Sequence, residues 1–345
     1  MIPISYDAYC IHYKKYADYI EGFQHRLQLA INRGYLGKKC QQAVDGTLIE
    51  DKTLYLVGDD LIIFKRICTC LKLLAFAEPN KLSLLIGYFT RLGVVPGSNI
   101  HNLLKHAFIN NGFDATGLSS FPKDSIVKAL GVDICPYCNR EGVKVIPVDK
   151  IDENGNIVTK NIKAELDHFY PKELYPYLAV SLYNLVPSCE TCNHYPNKYR
   201  SDPYATGLIT PFLLKDSRGI QFHISVRLEK ISNLKIEYQD VKIEVLSNGM
   251  MSRNVYEFSL LPVYNSYHKP DAAQVYNIYK SAENQARVAM AQGLTSHLGT
   301  PNDIIKSERI NANAHFCENQ FSRVLLSKMK SDIWRQLVDG KLLSY

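Results

Sequence analysis

The sequence predicts an α+β fold in three parts: a helical region over residues 1–130, a centre over 131–204, and antiparallel strands plus helices over 205–345. Three observations carry this. Apolar residues recur at helical spacing in the first part, alternate with polar residues between two Cys-x-x-Cys pairs in the second, and alternate before returning to helical spacing in the third. At 345 residues the chain is long enough for about two compact units, or three small ones, with a sizeable core.

In the first part Tyr9, Ile11, Tyr13, Tyr16, Ile20 and Phe23 fall on one helical face, and the pattern continues from Arg26 to Arg33, up to Gly34. Leu54 to Ala77 is apolar, with Asp59 and Asp60 near a helix start. Asp124 before Ser125–Leu130, closed by Gly131, reads as a short capped helix. In the centre Val143, Val145 and Val148, an Asn154-Gly155 turn and a return arm from Ile157-Val158 toward Leu166 read as a hairpin. Asp202-Pro203-Tyr204 reads as a loop. Beyond it, Phe222 to Leu228 and Leu234 to Val245 alternate as strands before Asn248-Gly249; Asp271 is placed to cap a helix carrying Val275, Tyr276, Ile278 and Tyr279, and a last helix spans about Asn319 to Leu337.

Composition narrows the function classes. Hydrophobic residues make up 46% and charged residues 21%, which excludes wholesale disorder and coiled coil. A net charge of +6, with the excess in the two flanks (+4 each) and −2 in the centre, accommodates a polyanion without requiring one. No apolar run reaches the roughly eighteen residues of a bilayer span. The first residues lack a basic flank followed by an apolar stretch, so no secretory signal and a cytoplasmic location are expected. No Gly-x-x-x-x-Gly-Lys-Ser/Thr loop is present, so nucleotide-driven activity would have to come from a partner.

Nine cysteines in a reducing compartment point to metal or burial rather than disulfides. Cys135-Pro-Tyr-Cys138 and Cys189-Glu-Thr-Cys192 each offer two thiolates to one tetrahedral Zn²⁺. The 50 residues between the pairs must return to their start, as a hairpin does. Cys10, Cys40, Cys68, Cys70 and Cys317 have no such pairing and read as core thiols. Asp152-Glu-Asn-Gly-Asn156 lacks the ligand alternation of a calcium loop and reads as a turn. His268 reads as a structural histidine or a remote substrate contact.

Inside the cysteine bracket lie Glu165-Leu-Asp-His-Phe-Tyr-Pro-Lys172, then Asn184, then Asn193 directly after the second pair. These residues, in this order over 133–200, resemble the HNH endonuclease family, most closely a bacterial subgroup with large variable flanks. The resemblance implies a ββα-metal core over 131–204, DNA backbone hydrolysis leaving 3′-hydroxyl and 5′-phosphate ends, structural Zn²⁺ and catalytic Mg²⁺ or Mn²⁺. His168 would be the general base, an ordinary imidazole being able to accept a proton near neutrality, so that activity rises through the mid-sixes. Asp167 would be a hard oxygen ligand, on the opposite flank of the metal because adjacent strand residues face opposite sides. Asn184 would brace the loop, with a turn or helix cap as the simpler use of an Asn. Asn193 would be the third ligand. The family places a Lys three residues after that Asn, whereas here His194-Tyr-Pro-Asn197 intervene before Lys198; His194 and Asn197 therefore compete with Asn193, and a third helix is expected to begin after Pro196, with Asn197, Lys198 and Arg200 in its first turn.

Lys172, Lys198 and Arg200 are candidates for phosphate contact, against plain surface charge. Glu165 reads as a water-facing strand residue rather than a second ligand. Tyr170, Tyr175, Tyr177, Tyr183, Tyr195, Tyr199 and Tyr204 read as core aromatics with bonded hydroxyls before base-stacking platforms. The alternative to the nuclease is a catalytically decayed zinc-knuckle adaptor for nucleic acid or protein. Between them stands an enzyme held inactive until a partner, an ATPase or another defence-system protein, presents DNA or RNA. A phage-defence or restriction context is implied by resemblance alone.

Overall fold

The computed structural model describes residues 1–4, 11–37, 53–151, 153, 156–162, 165–194, 196–198, 201–292, 300–312, 314 and 320–345. The fold is mixed α+β, with one hydrophobic core running through all three parts. Cys10, Cys40, Cys317, Tyr195, Tyr199, Arg200 and the Asn154-Gly155 turn lie outside the described residues.

Helix α1 (Ile11–Arg33) buries Tyr16, Ile20, Phe23 and Leu27, spaced three and four apart along one face, and stops where Gly34 takes a φ of 77°. A short antiparallel pair, β1 (Tyr35–Leu36) and β2 (Leu54–Tyr55), precedes α2 (Gly58–Thr69), which has Asp59 and Asp60 in its first turn, and α3 (Leu71–Ala75). Helix α4 (Pro79–Arg91) starts on a proline; α5 (Asn99–Leu104), capped by Ser98, runs directly into a π-helical stretch, Lys105–Phe113. Helix α6 (Lys123–Leu130) ends at Gly131 as expected, but Asp124 lies inside its first turn, Pro122 standing at the cap.

In the centre β3 (Ile146–Ile151) and β4 (Ile157–Ile162) form the expected antiparallel hairpin, with Val143 and Val145 leading into it. Leu166 belongs to a second pair, β5 (Glu165–His168) with β6 (Leu185–Ser188), followed at once by α7 (Glu190–Asn193). The loop joining β5 to β6 is buried against the helical part: Tyr16 Oη lies 2.7 Å from the Val180 carbonyl and 2.9 Å from that of Ala75, and Ser181 Oγ donates to Leu74 O at 2.6 Å. Residues 196–198 form a turn rather than the first turn of a helix. Asp202-Pro203 opens a helix, α8 (Pro203–Thr206), instead of a loop, because Asp202 caps it and proline suits a first turn that needs no N–H.

The last part holds β7 (Ile220–Val226) antiparallel to β8 (Val241–Ser247) and parallel to β9 (Leu343–Ser344), with α9 (Ser252–Glu257), α10 (Leu260–Tyr267), α11 (Lys269–Ala291), α12 (Pro301–Asn311) and α13 (Ser327–Val338). Leu234 and Ile236 are not in a strand. The Asn277 amide takes the place of a neighbouring strand, accepting from Ile236 N at 2.8 Å and donating to its carbonyl at 3.0 Å. Asp271 lies in the first turn of α11, with His268 at the cap 3.3 Å from its carboxylate, a structural use of that histidine. The final helix begins at Ser327, later than the sequence pattern indicates. No helix among the described residues is long and apolar enough to cross a membrane.

Candidate functional site

The two cysteine pairs meet. Cys135, Cys138, Cys189 and Cys192 are buried with their sulfurs all within 4.8 Å of one another, and Cys138 Sγ lies 3.8 Å from Cys189 Sγ. Bonds of about 2.3 Å to a tetrahedral zinc require sulfurs about 3.8 Å apart, so the donor set fits zinc. Each knuckle is shaped by backbone hydrogen bonds, Asn139 N to Cys135 O at 2.8 Å and Cys192 N to Cys189 O at 3.1 Å. Asn139 adopts a left-handed φ of 58° and is pinned by the last part of the chain: its amide donates to Phe321 O at 2.7 Å and accepts from Lys328 N at 3.1 Å, and its carbonyl accepts from Leu326 N at 2.8 Å. Tyr264 Oη donates to Cys138 O at 2.5 Å. Cys68 is a buried core thiol and Cys70 a half-buried one.

Strand β5 turns Glu165 and Asp167 to one face and His168 to the other. Asp167 is buried, accepting from Tyr137 Oη at 2.6 Å and from Lys198 Nζ at 2.8 Å, one donor on each carboxylate oxygen. The same ammonium donates to His168 O at 2.8 Å, and Lys198 is 1% exposed. Lys198 is therefore a buried counter-charge in this conformation, neither a surface lysine nor a phosphate contact.

His168 is buried on the far face, its ring 4.3 Å from that of Phe113 and its Nε2 2.9 Å from the Ala179 carbonyl. A carbonyl only accepts, so Nε2 carries the proton and Nδ1 keeps its lone pair. Burial holds the imidazole at about 3, and the Lys172 and Lys198 ammonium groups push the same way. This corrects the expectation of a base titrating in the mid-sixes: desolvation, which composition does not display, removes it from that range.

Asn184, fully buried, braces the loop. Its oxygen accepts from Tyr170 N at 2.7 Å, and its nitrogen donates to the carbonyls of Tyr170 at 3.0 Å and Leu178 at 3.1 Å, one residue before the carbonyl that holds His168. Asn193 and His194 converge instead on Glu165, Asn193 Nδ2 at 2.8 Å from Oε2 and His194 Nε2 at 3.0 Å from the same oxygen. Asn197 Nδ2 donates to Thr191 O at 2.6 Å. Lys172 Nζ is 2.6 Å from Asp114 Oδ2.

These positions do not assemble a second cation site. Both oxygens of Asp167 have donors, and Asn193 and His194 face Glu165, so the arrangement does not fit the catalytic Mg²⁺ or Mn²⁺ that the resemblance implies. Three participants, Tyr137, Phe113 and Asp114, carry no signal in spacing, and Glu165, expected to face water, accepts from Asn193. Among the tyrosines, Tyr170 and Tyr177 are buried, Tyr175 donates to Asp202 at 2.8 Å, and Tyr204 is exposed.

Septu protein PtuB of Bacillus thuringiensis is 25% identical over 238 residues, covering 67% of this chain and 82% of the relative. The chain is a distant relative of a Septu protein. No protein-family model matches it, and no solved structure matches it.

Proposed function

We propose that the chain is a phosphodiester hydrolase of the HNH type, acting on DNA in a bacterial phage-defence system, with His168 as general base. The observation that carries this reading is the imidazole at the end of β5, fixed by Ala179 O of the loop that Asn184 braces, which leaves Nδ1 as a proton acceptor. The Septu relative supports the defence context, and a partner ATPase or other defence protein belongs to the same proposal. Zinc held by the four cysteines would fix the start of α7 and the Cys135–Cys138 turn, and through Tyr137 the position of Asp167.

The assay is cleavage of plasmid DNA, with RNA in parallel, by purified protein with Mg²⁺, Mn²⁺ or chelator. Cutting that His168→Ala abolishes, with unchanged circular dichroism and zinc content, is the expected result, and the divalent and chelator arms read whether an added cation takes part. Equal cutting by that variant overturns the role of His168. A second reading, the zinc-knuckle adaptor, is favoured by one observation: Tyr137 and Lys198 already occupy Asp167. Nucleic-acid binding without cleavage under every divalent ion, with and without partner, decides for it.

A further inference from the structure

A cavity of about 680 Å³ lies away from the cysteines, between α1 and the π-helical stretch Lys105–Phe113. Its volume is that of a small-molecule site, which runs to roughly 300–1,000 Å³. Arg26 and Arg33, seven residues apart on α1 and thus on one face about 10 Å apart along the axis, line one wall; His106, Asn110 and Asn111 line the other. Two nitrogens in this lining, Arg26 Nη2 and His106 Nε2, are buried with no hydrogen-bond partner among the described residues. Buried polar nitrogens of this kind are costly unless something hydrogen-bonds to them.

The charge is one-sided. Among the described residues the acid in the lining is Asp114, neutralised by Lys172 at 2.6 Å and Lys123 at 3.4 Å, and neither guanidinium group has a described carboxylate partner. Arg26 is held in place by the rings of Tyr19 and Phe23, each 5.3 Å from its guanidinium carbon. Thr116 and Ser119 add hydroxyls. Two guanidinium groups, amides and hydroxyls lining one cavity are chemistry suited to a phosphate carrying a polar organic body.

From this we infer that the cavity binds the 5′-phosphate of a nucleotide, with Arg26 and Arg33 on the phosphate and the asparagine side on base and sugar. The site adjoins His168 without sharing a residue with it. Phe113, next to Asp114, packs against the imidazole, and Asp114 holds Lys172, so occupancy is felt at His168. A π-helical stretch is a common place for such a site. The inference stands apart from the nuclease reading.

Isothermal titration of the zinc-loaded full chain, without added Mg²⁺ or Mn²⁺, with ATP, AMP and a 5′-phosphorylated dinucleotide tests it. Binding to wild type that weakens about tenfold or more in both Arg26→Gln and Arg33→Gln is expected. Arg33 is exposed, so its replacement leaves the fold intact should Arg26→Gln disturb packing. Preference for ATP or AMP identifies a free nucleotide, and preference for the dinucleotide a strand end; either supports the site. Absence of binding by all three at about 1 mM, or affinity unchanged in Arg33→Gln, overturns it. Saturating ligand should also move the His168 imidazole resonance, assigned through its loss in His168→Gln; an unmoved resonance overturns the coupling.

Discussion

Replacing His168 by Gln removes a titration while keeping a nitrogen donor for the Ala179 carbonyl. In the fold the imidazole is held at about 3, whereas in the unfolded chain it titrates at its ordinary 6.5. Below pH 6.5 the unfolded chain therefore takes up a proton that the folded chain refuses. The contribution of the neutral buried ring is fully present above pH 6.5 and is lost as pH falls toward 3. At about 1.4 kcal/mol per pH unit, the loss reaches about 3 kcal/mol at pH 4 and about 5 kcal/mol at the acid limit. Urea unfolding of wild type and His168→Gln at pH 7, 5.5 and 4 reads this directly, because other acid-sensitive groups such as Asp114 cancel in the difference. The stability advantage of wild type over the variant should shrink by about 3 kcal/mol between pH 7 and pH 4. An advantage that stays constant across that range would refute the burial argument for His168. The same geometry predicts that any cleavage rate lacks a rise through the mid-sixes attributable to this group.

The other expectations concern the surrounding framework. Elemental analysis should give about one zinc per chain, lost in Cys138→Ser and released on acidification, because the thiolates must then be protonated. Lys198→Met leaves the Asp167 carboxylate buried with Tyr137 as its remaining donor, a loss of about 3–5 kcal/mol read by denaturant unfolding; the double variant with Asp167→Asn should recover most of it, and failure to recover would show that the two residues do not act as a pair. Asn184→Ala strips partners from one N–H and two carbonyls in the buried loop, and calorimetry should register about 2–4 kcal/mol of destabilisation; a change below about 1 kcal/mol would mean the loop holds its shape without the amide.

Much of the fold was legible because its signals are local. The α1 face, the stop at Gly34, the Gly131 terminus and the β3–β4 hairpin all follow from spacing and from residues that tolerate particular backbone angles. The cysteine cluster was legible for the same reason, two short motifs being sufficient to specify it. Errors cluster where distant side chains decide. Asn277 replaces a neighbouring strand for Ile236, and Asp202-Pro203 begins a helix that its loop-like composition conceals. At the candidate site the sequence supplied Asp167, His168 and Asn184 but not their environment. That Lys198 would be drawn to Asp167, or that Phe113 would cover His168, depends on contacts between residues tens of positions apart, which no window along the chain contains.

The pinning of Asn139 by Phe321, Leu326 and Lys328 has a temporal consequence. During synthesis all four thiols emerge well before the segment that fixes the first turn between them. At translation rates of about 5–20 residues per second, the delay from Cys192 to Lys328 is about 7–30 s. For that interval a nascent molecule owns every ligand yet lacks the clasp that shapes half of them, so maturation of the knuckle is deferred until the segment from Phe321 to Lys328 has emerged.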